Sequence, residues 1–93
     1  LNSVKLKIGR NVFDIDENDV VMDNGAIIQV ITKKSGTGWN WNIPVMSKKL
    51  YGDLKKLNIL YTNKELEEYA SQSYSSKVTL YKFDIEKMKN EGY

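Results

Sequence analysis

Short runs of period-two alternation, each ended by turn residues, restrict the fold of this chain more than any other feature. Val4, Leu6 and Ile8 alternate with Lys5 and Lys7, and Gly9-Arg10-Asn11 closes the run before Val12 or Phe13 and Ile15 resume it. Alternation of this kind sends apolar side chains to one face of a strand, so the spacing predicts an opening hairpin. A second turn signal, Asp23-Asn24-Gly25, separates Asp19-Val20-Val21-Met22 from the β-branched run between Gly25 and Lys33, which favours strand over helix. After Ser35-Gly36-Thr37-Gly38, the residues Trp39, Trp41, Ile43 and Val45 again fall two apart and share one strand face. Pro44 restricts that strand to an edge, an end or a bulge. Because Ile43 and Val45 lie on it, this face is expected to point inward. Trp41 then belongs to the core, and Trp39, beside the glycine loop, is partly exposed.

The period changes after Ser47. Leu50, Leu54 and Leu57 recur at helical spacing behind this serine, which is a good N-cap. Lys48 and Lys55, like Lys49 and Lys56, lie two turns apart and line the solvent side of the expected helix. Thr62 and Glu65 have the spacing of a capping box before a second helix that presents Leu66, Tyr69 and Ala70 inward. The polar stretch from Ser71 to Ser76 ends it. Lys77 to Phe83 reads as a late strand, and Asp84 caps a last helix carrying Ile85 and Met88. Strands come first and helices later, so the chain is read as α+β, an antiparallel sheet with two or three short helices from the C-terminal half on one face. A small SH3-like half-barrel formed by the first 46 residues is the variant of this arrangement. No repeat or linker divides residues 1–93, and one small domain is expected.

Histidine and cysteine do not occur in the sequence. Disulfide frameworks, thiol nucleophiles, the usual zinc ligand sets and the commonest general base are thereby excluded. A chain of 93 residues buries somewhat over ~60% of the surface its unfolded form exposes, leaving little room for a deep catalytic cavity. Asp14, Asp16 and Asn18 occupy the first, third and fifth positions of a calcium-loop register. That register then needs glycine where Asp19 stands and a bidentate glutamate where Gly25 stands, so no metal is expected. An acidic, solvated hairpin arm is the alternative. No cofactor is implied, and no apolar run approaches the ~20 residues a membrane span requires. The chain is therefore expected to be a cytoplasmic non-enzyme.

Charge is unevenly placed. Acids cluster between Asp14 and Asp23, whereas from Asn24 to Gly52 only basic residues occur: Lys33, Lys34, Lys48 and Lys49. Two readings follow. The first is a non-catalytic protein-interaction module that uses an exposed sheet edge or an aromatic patch, with Trp39, Tyr51, Tyr61, Tyr69 and Tyr74 as candidate partner-binding residues. The second is a weak, sequence-tolerant binder of single-stranded nucleic acid, using Lys33, Lys34, Trp39, Lys48, Lys49, Lys55 and Lys56. Arg10 is the only arginine among 14 basic residues, which argues against bidentate base readout and ranks the second reading below the first. Lysine in place of arginine, with plentiful asparagine, isoleucine and tyrosine, is what AT-rich coding gives. By analogy this suggests an accessory or regulatory protein of an AT-rich bacterium or its phage.

Overall fold

The computed structural model describes residues 2–29 and 43–93. Trp39, Trp41, Lys33 and Lys34 lie outside the described residues. The elements run β1 (Ser3–Ile8), β2 (Asn11–Asp16), β3 (Asp19–Met22), β4 (Ile27–Gln29), α1 (Lys48–Lys56), β5 (Leu60–Tyr61), α2 (Lys64–Ser73), β6 (Leu80–Phe83) and α3 (Ile85–Asn90). The fold is α+β, with a two-stranded antiparallel sheet, β1-β2, and a four-stranded antiparallel sheet ordered β4-β3-β6-β5.

The opening hairpin forms as its alternation requires. Val4 pairs with Ile15 and Leu6 with Phe13, which puts these four on one face. Val4, Leu6 and Ile15 are buried, Phe13 is half-buried, and Val12, paired with Lys7 on the outer face, is 60% exposed. Phe13, not Val12, thus continues the pattern. The outer face also carries an exposed Lys5–Asp14 ion pair at 2.9 Å, worth at most about 1 kcal/mol. Gly9 supplies the turn with φ +64°.

Two strands of the larger sheet come from each half of the chain. The β3-β4 turn ends at Gly25, with φ +92° and its carbonyl accepting from Met46 N at 2.9 Å. Ile27 N donates to Pro44 O at 2.8 Å, and Ala26 bridges Val45 in antiparallel sense. This pairing corrects one expectation. Ile43 and Val45 are 47% and 56% exposed, while Met46 is buried. Of the expected strand only residues 43–46 are described, with a single bridge at Val45, and there the inward position is Met46, one residue out of step with Ile43 and Val45. Trp39 and Trp41, the other two residues of that expected face, lie outside the described residues.

A further correction concerns the layers. Directly paired residues share a sheet face, so Val20, Ile28, Lys82 and Tyr61 lie on one side and Val21, Ile27, Phe83 and Leu60 on the other. On the first side α2 packs Leu66 and Ala70 against Val20 and Leu80. On the second, Val4, Leu6 and Ile15 of the hairpin, Leu54 of α1, and Ile85 and Met88 with α3 close the main core. The helices therefore cover both faces, not one. Strand β6, from the C-terminal half, sits between β3 and β5, so the sheet requires both halves of the chain.

Helix ends are set by side chains. Ser47 Oγ accepts from Leu50 N at 3.1 Å, and Asp84 Oδ1 accepts from Lys87 N at 3.0 Å, both as the sequence predicts. At the end of α1, Asn58 adopts φ +59°. Asn58 N donates to Lys55 O and Ile59 N to Leu54 O, at 3.0 and 2.9 Å. These two bonds make a Schellman motif, sealed by the buried Leu54 and Ile59. It turns the chain from α1 into β5. For α2 the cap is Asn63, whose Oδ1 accepts from Leu66 N at 2.8 Å. The expected Thr62–Glu65 capping box is replaced by this bond one residue on, and Thr62 Oγ1 is buried without a hydrogen-bond partner among the described residues. The helix also runs through Ser71, Gln72 and Ser73, which had been read as loop.

Candidate interaction surface

The tyrosines singled out by sequence divide between the two sides of the sheet. Tyr51 is on α1 and half-buried; its ring meets Tyr81 edge-on, with centroids 6.3 Å apart and planes at 71°. Lys55, one helical turn on, sits over both rings at 5.6 and 5.2 Å, and its Nζ lies 3.4 Å from the Tyr81 hydroxyl. Burial, then the neighbouring Tyr81 and Asp23, push the Tyr51 phenol from 10.0 up to about 12. Tyr51 is thereby committed to internal contacts. So is Lys55, through cation–π attraction.

The four α1 lysines are all exposed, as their spacing predicts. Lys49 Nζ pairs with Asp53 at 3.1 Å. Lys55 and Lys56 fall in the last turn, where positive charge complements the helix dipole. Half of the helix portion of the nucleic-acid reading is therefore engaged within the fold, and Lys33, Lys34 and Trp39 lie outside the described residues.

Tyr61, Tyr69 and Tyr74 belong to the α2 side. Tyr74 is half-buried against the small core of Val20, Leu66, Ala70 and Leu80. Tyr61 and Tyr69 are 44% and 38% exposed. Tyr69 had been expected to point inward with Leu66 and Ala70; only the latter two are buried, because positions three and four apart spread over a helical face wider than the strip that touches the sheet. Tyr69 instead walls a cleft of about 230 Å³, whose floor is Val20 and Leu66 and whose rim is Asn18, Asn63, Glu65 and Lys82.

Lys82 is the informative residue here. It is half-buried, its strand neighbours on the same face are Val20 and Tyr61, and it makes no ion pair among the described residues. Its ammonium is thus open to a counter-ion supplied from outside the described residues. The sequence holds a sign of this: Leu80 and Lys82 are two apart, so a lysine shares a strand face with a buried leucine. Sequence reasoning missed Lys82, Asn18 and Asn63 because strand face and helix start depend on partners distant in the chain.

A wide concavity of mixed polarity lies at the tip of the opening hairpin, where Arg10 and Asn11 join Val12, Phe13, Ile43 and Val45 in lining about 780 Å³. The acidic arm is not uniformly solvated. Asp19 is 4% exposed and accepts from Asp16 N at 2.9 Å, and Asp16 Oδ1 accepts from Asn18 N. Among the described residues no group of three or more acidic, histidine or cysteine side chains is placed to hold a metal ion. Nor is any helix among them long and apolar enough to cross a membrane. Comparison of the chain with protein-family models, with curated proteins and with solved structures finds no match.

Proposed function

We propose that this chain is a non-catalytic module that binds another protein through the α2 side of its sheet. The observation that carries the reading is the cleft between α2 and the sheet, where an apolar floor, an exposed tyrosine and a lysine with no acidic partner among the described residues meet. Tyrosine is among the residues most enriched at the energetic centres of protein interfaces, since it combines a large apolar body with a polar tip. Tyr69 holds this position here, and Tyr61 widens the surface along the same sheet face. Trp39 stays a candidate from sequence alone. Tyr51 and Tyr74 are half-buried and pack within the fold, which leaves Tyr61 and Tyr69 as the more exposed of the four tyrosines.

A non-enzyme is supported by the composition, which lacks histidine, the commonest general base, and cysteine, the thiol nucleophile. A cytoplasmic accessory role in an AT-rich bacterium or its phage is proposed on composition alone. The test is site-specific photo-crosslinking in the source cells, with p-benzoylphenylalanine placed at position 69 and, as the control, at position 5 on the outer face of β1. A discrete protein adduct at 69 and none at 5 is the expected result. Adducts at both positions or neither, or nucleic acid in the adduct, would overturn the reading.

A further inference from the structure

Resting on that reading, we infer the chemistry of the partner segment: an apolar side chain seated in the α2 cleft, with a neighbouring carboxylate that pairs with Lys82. Size points to a single anchor. Cavities that enclose whole small-molecule ligands usually hold ~300–1,000 Å³, and this one holds about 230 Å³. It suits one aliphatic or aromatic side chain of a larger molecule. That side chain would rest mainly against the exposed ring of Tyr69, with the buried Val20 and Leu66 beneath it.

Charge supplies the second half of the inference. Lys82 stands at the rim, flanked on its sheet face by Val20 and Tyr61, and no acid of the described residues lies within ion-pair distance. A partner carboxylate would complete it. Asn63 adds donors: its Oδ1 is used on Leu66 N, which leaves its amide hydrogens for a ligand. Glu65 is the one acidic residue lining the cleft. It disfavours a second carboxylate on its own side, so the acid is expected beside Lys82 and not across the opening. A basic group beside Lys82 would meet like charge and bind less well there.

The experiment uses the full chain, labelled with 15N, titrated with four blocked dipeptides: acetyl-Phe-Glu-amide, acetyl-Phe-Gln-amide, acetyl-Phe-Lys-amide and acetyl-Gly-Glu-amide. The expected result is saturable shifts confined to the amides of residues 18–20, 63–69 and 81–83 with Phe-Glu. Phe-Gln should bind roughly 1.5- to five-fold more weakly, the range of an ion pair near a protein surface. Phe-Lys should bind more weakly still, and Gly-Glu should not saturate. Lys82→Gln should erase the preference for Glu over Gln, and 0.5 M salt should do the same in the unaltered protein if that variant does not fold. Equal binding of the three Phe peptides, shifts elsewhere, or no saturation with any of them overturns the inference. A crosslinked partner at position 69 without acid preference would sink the inference and leave the proposed function standing.

Discussion

Replacing Thr62 with valine should stabilise the protein, whereas replacing its neighbour Asn63 with alanine should destabilise it. The opposite signs follow from two atoms. Thr62 Oγ1 is buried with no hydrogen-bond partner among the described residues, and a buried unsatisfied hydroxyl costs about 1–3 kcal/mol. Valine keeps the branched shape and puts a methyl group in its place. Because the residue as a whole is only half-buried, the lower end applies, a gain of about 1 kcal/mol. Asn63 Oδ1 holds Leu66 N at 2.8 Å, and loss of such a cap costs about 1 kcal/mol. For a domain of 93 residues, each of these changes moves the melting midpoint by roughly 4–8 °C. Thermal melts followed by circular dichroism, with urea melts alongside, read both variants against the parent. If Thr62→Val melts lower and Asn63→Ala melts unchanged, Thr62 is the true cap. The start of α2 would then shift by one residue, and the rim that Asn63 gives the cleft would have to be redrawn.

Gly25→Ala should cost more than Gly9→Ala. Both glycines have positive φ, which strains an L residue by about 1–2 kcal/mol, but a Cβ on Gly25 would also stand 2.9 Å from Met46 O, whereas Gly9 has open space; urea midpoints that match for the two variants would refute the close approach. Tyr51 gives a pH dependence. The folded protein keeps this phenol protonated up to about 12 and the unfolded chain only to about its ordinary 10.0, so the native state binds more protons across that window and stability falls as pH rises through it. Tyr51→Phe should flatten that alkaline fall, as followed by urea melts at pH 9 to 12; an unchanged slope would contradict the assigned cause.

The local parts of this fold were legible because their causes are local. Alternation located the opening hairpin, Asp23-Asn24-Gly25 the second turn, and Ser47 and Asp84 the starts of two helices. The cap of α2 was misplaced by one residue because Thr62 and Asn63 are both competent caps, and the choice falls to which of them the chain leaving β5 turns toward Leu66. Strand β5, only Leu60–Tyr61, is too short to show a period and exists through its pairing with β6. The sheet order β4-β3-β6-β5 and the division of helices between its faces rest on contacts between the two halves of the chain, and periodicity within one segment carries no information about which face a distant helix will cover. The candidate site was half visible. Tyr61 and Tyr69 stood out as aromatic anchors, whereas Lys82 becomes meaningful only when Val20, Tyr61 and α2 surround it.

The most direct measurement of the central claim is the affinity of the partner captured at position 69 for the parent protein, for Tyr69→Ala and for Lys48→Ala, by calorimetry on variants whose circular dichroism and melting midpoints match the parent. Tyr69→Ala is expected to weaken binding at least about 10-fold, the loss of 1.4 kcal/mol or more that marks an interface anchor. Lys48→Ala, on α1 beyond the opposite face of the sheet, should leave the affinity unchanged. Full affinity in Tyr69→Ala, or an equal loss in Lys48→Ala, would contradict binding through the α2 side.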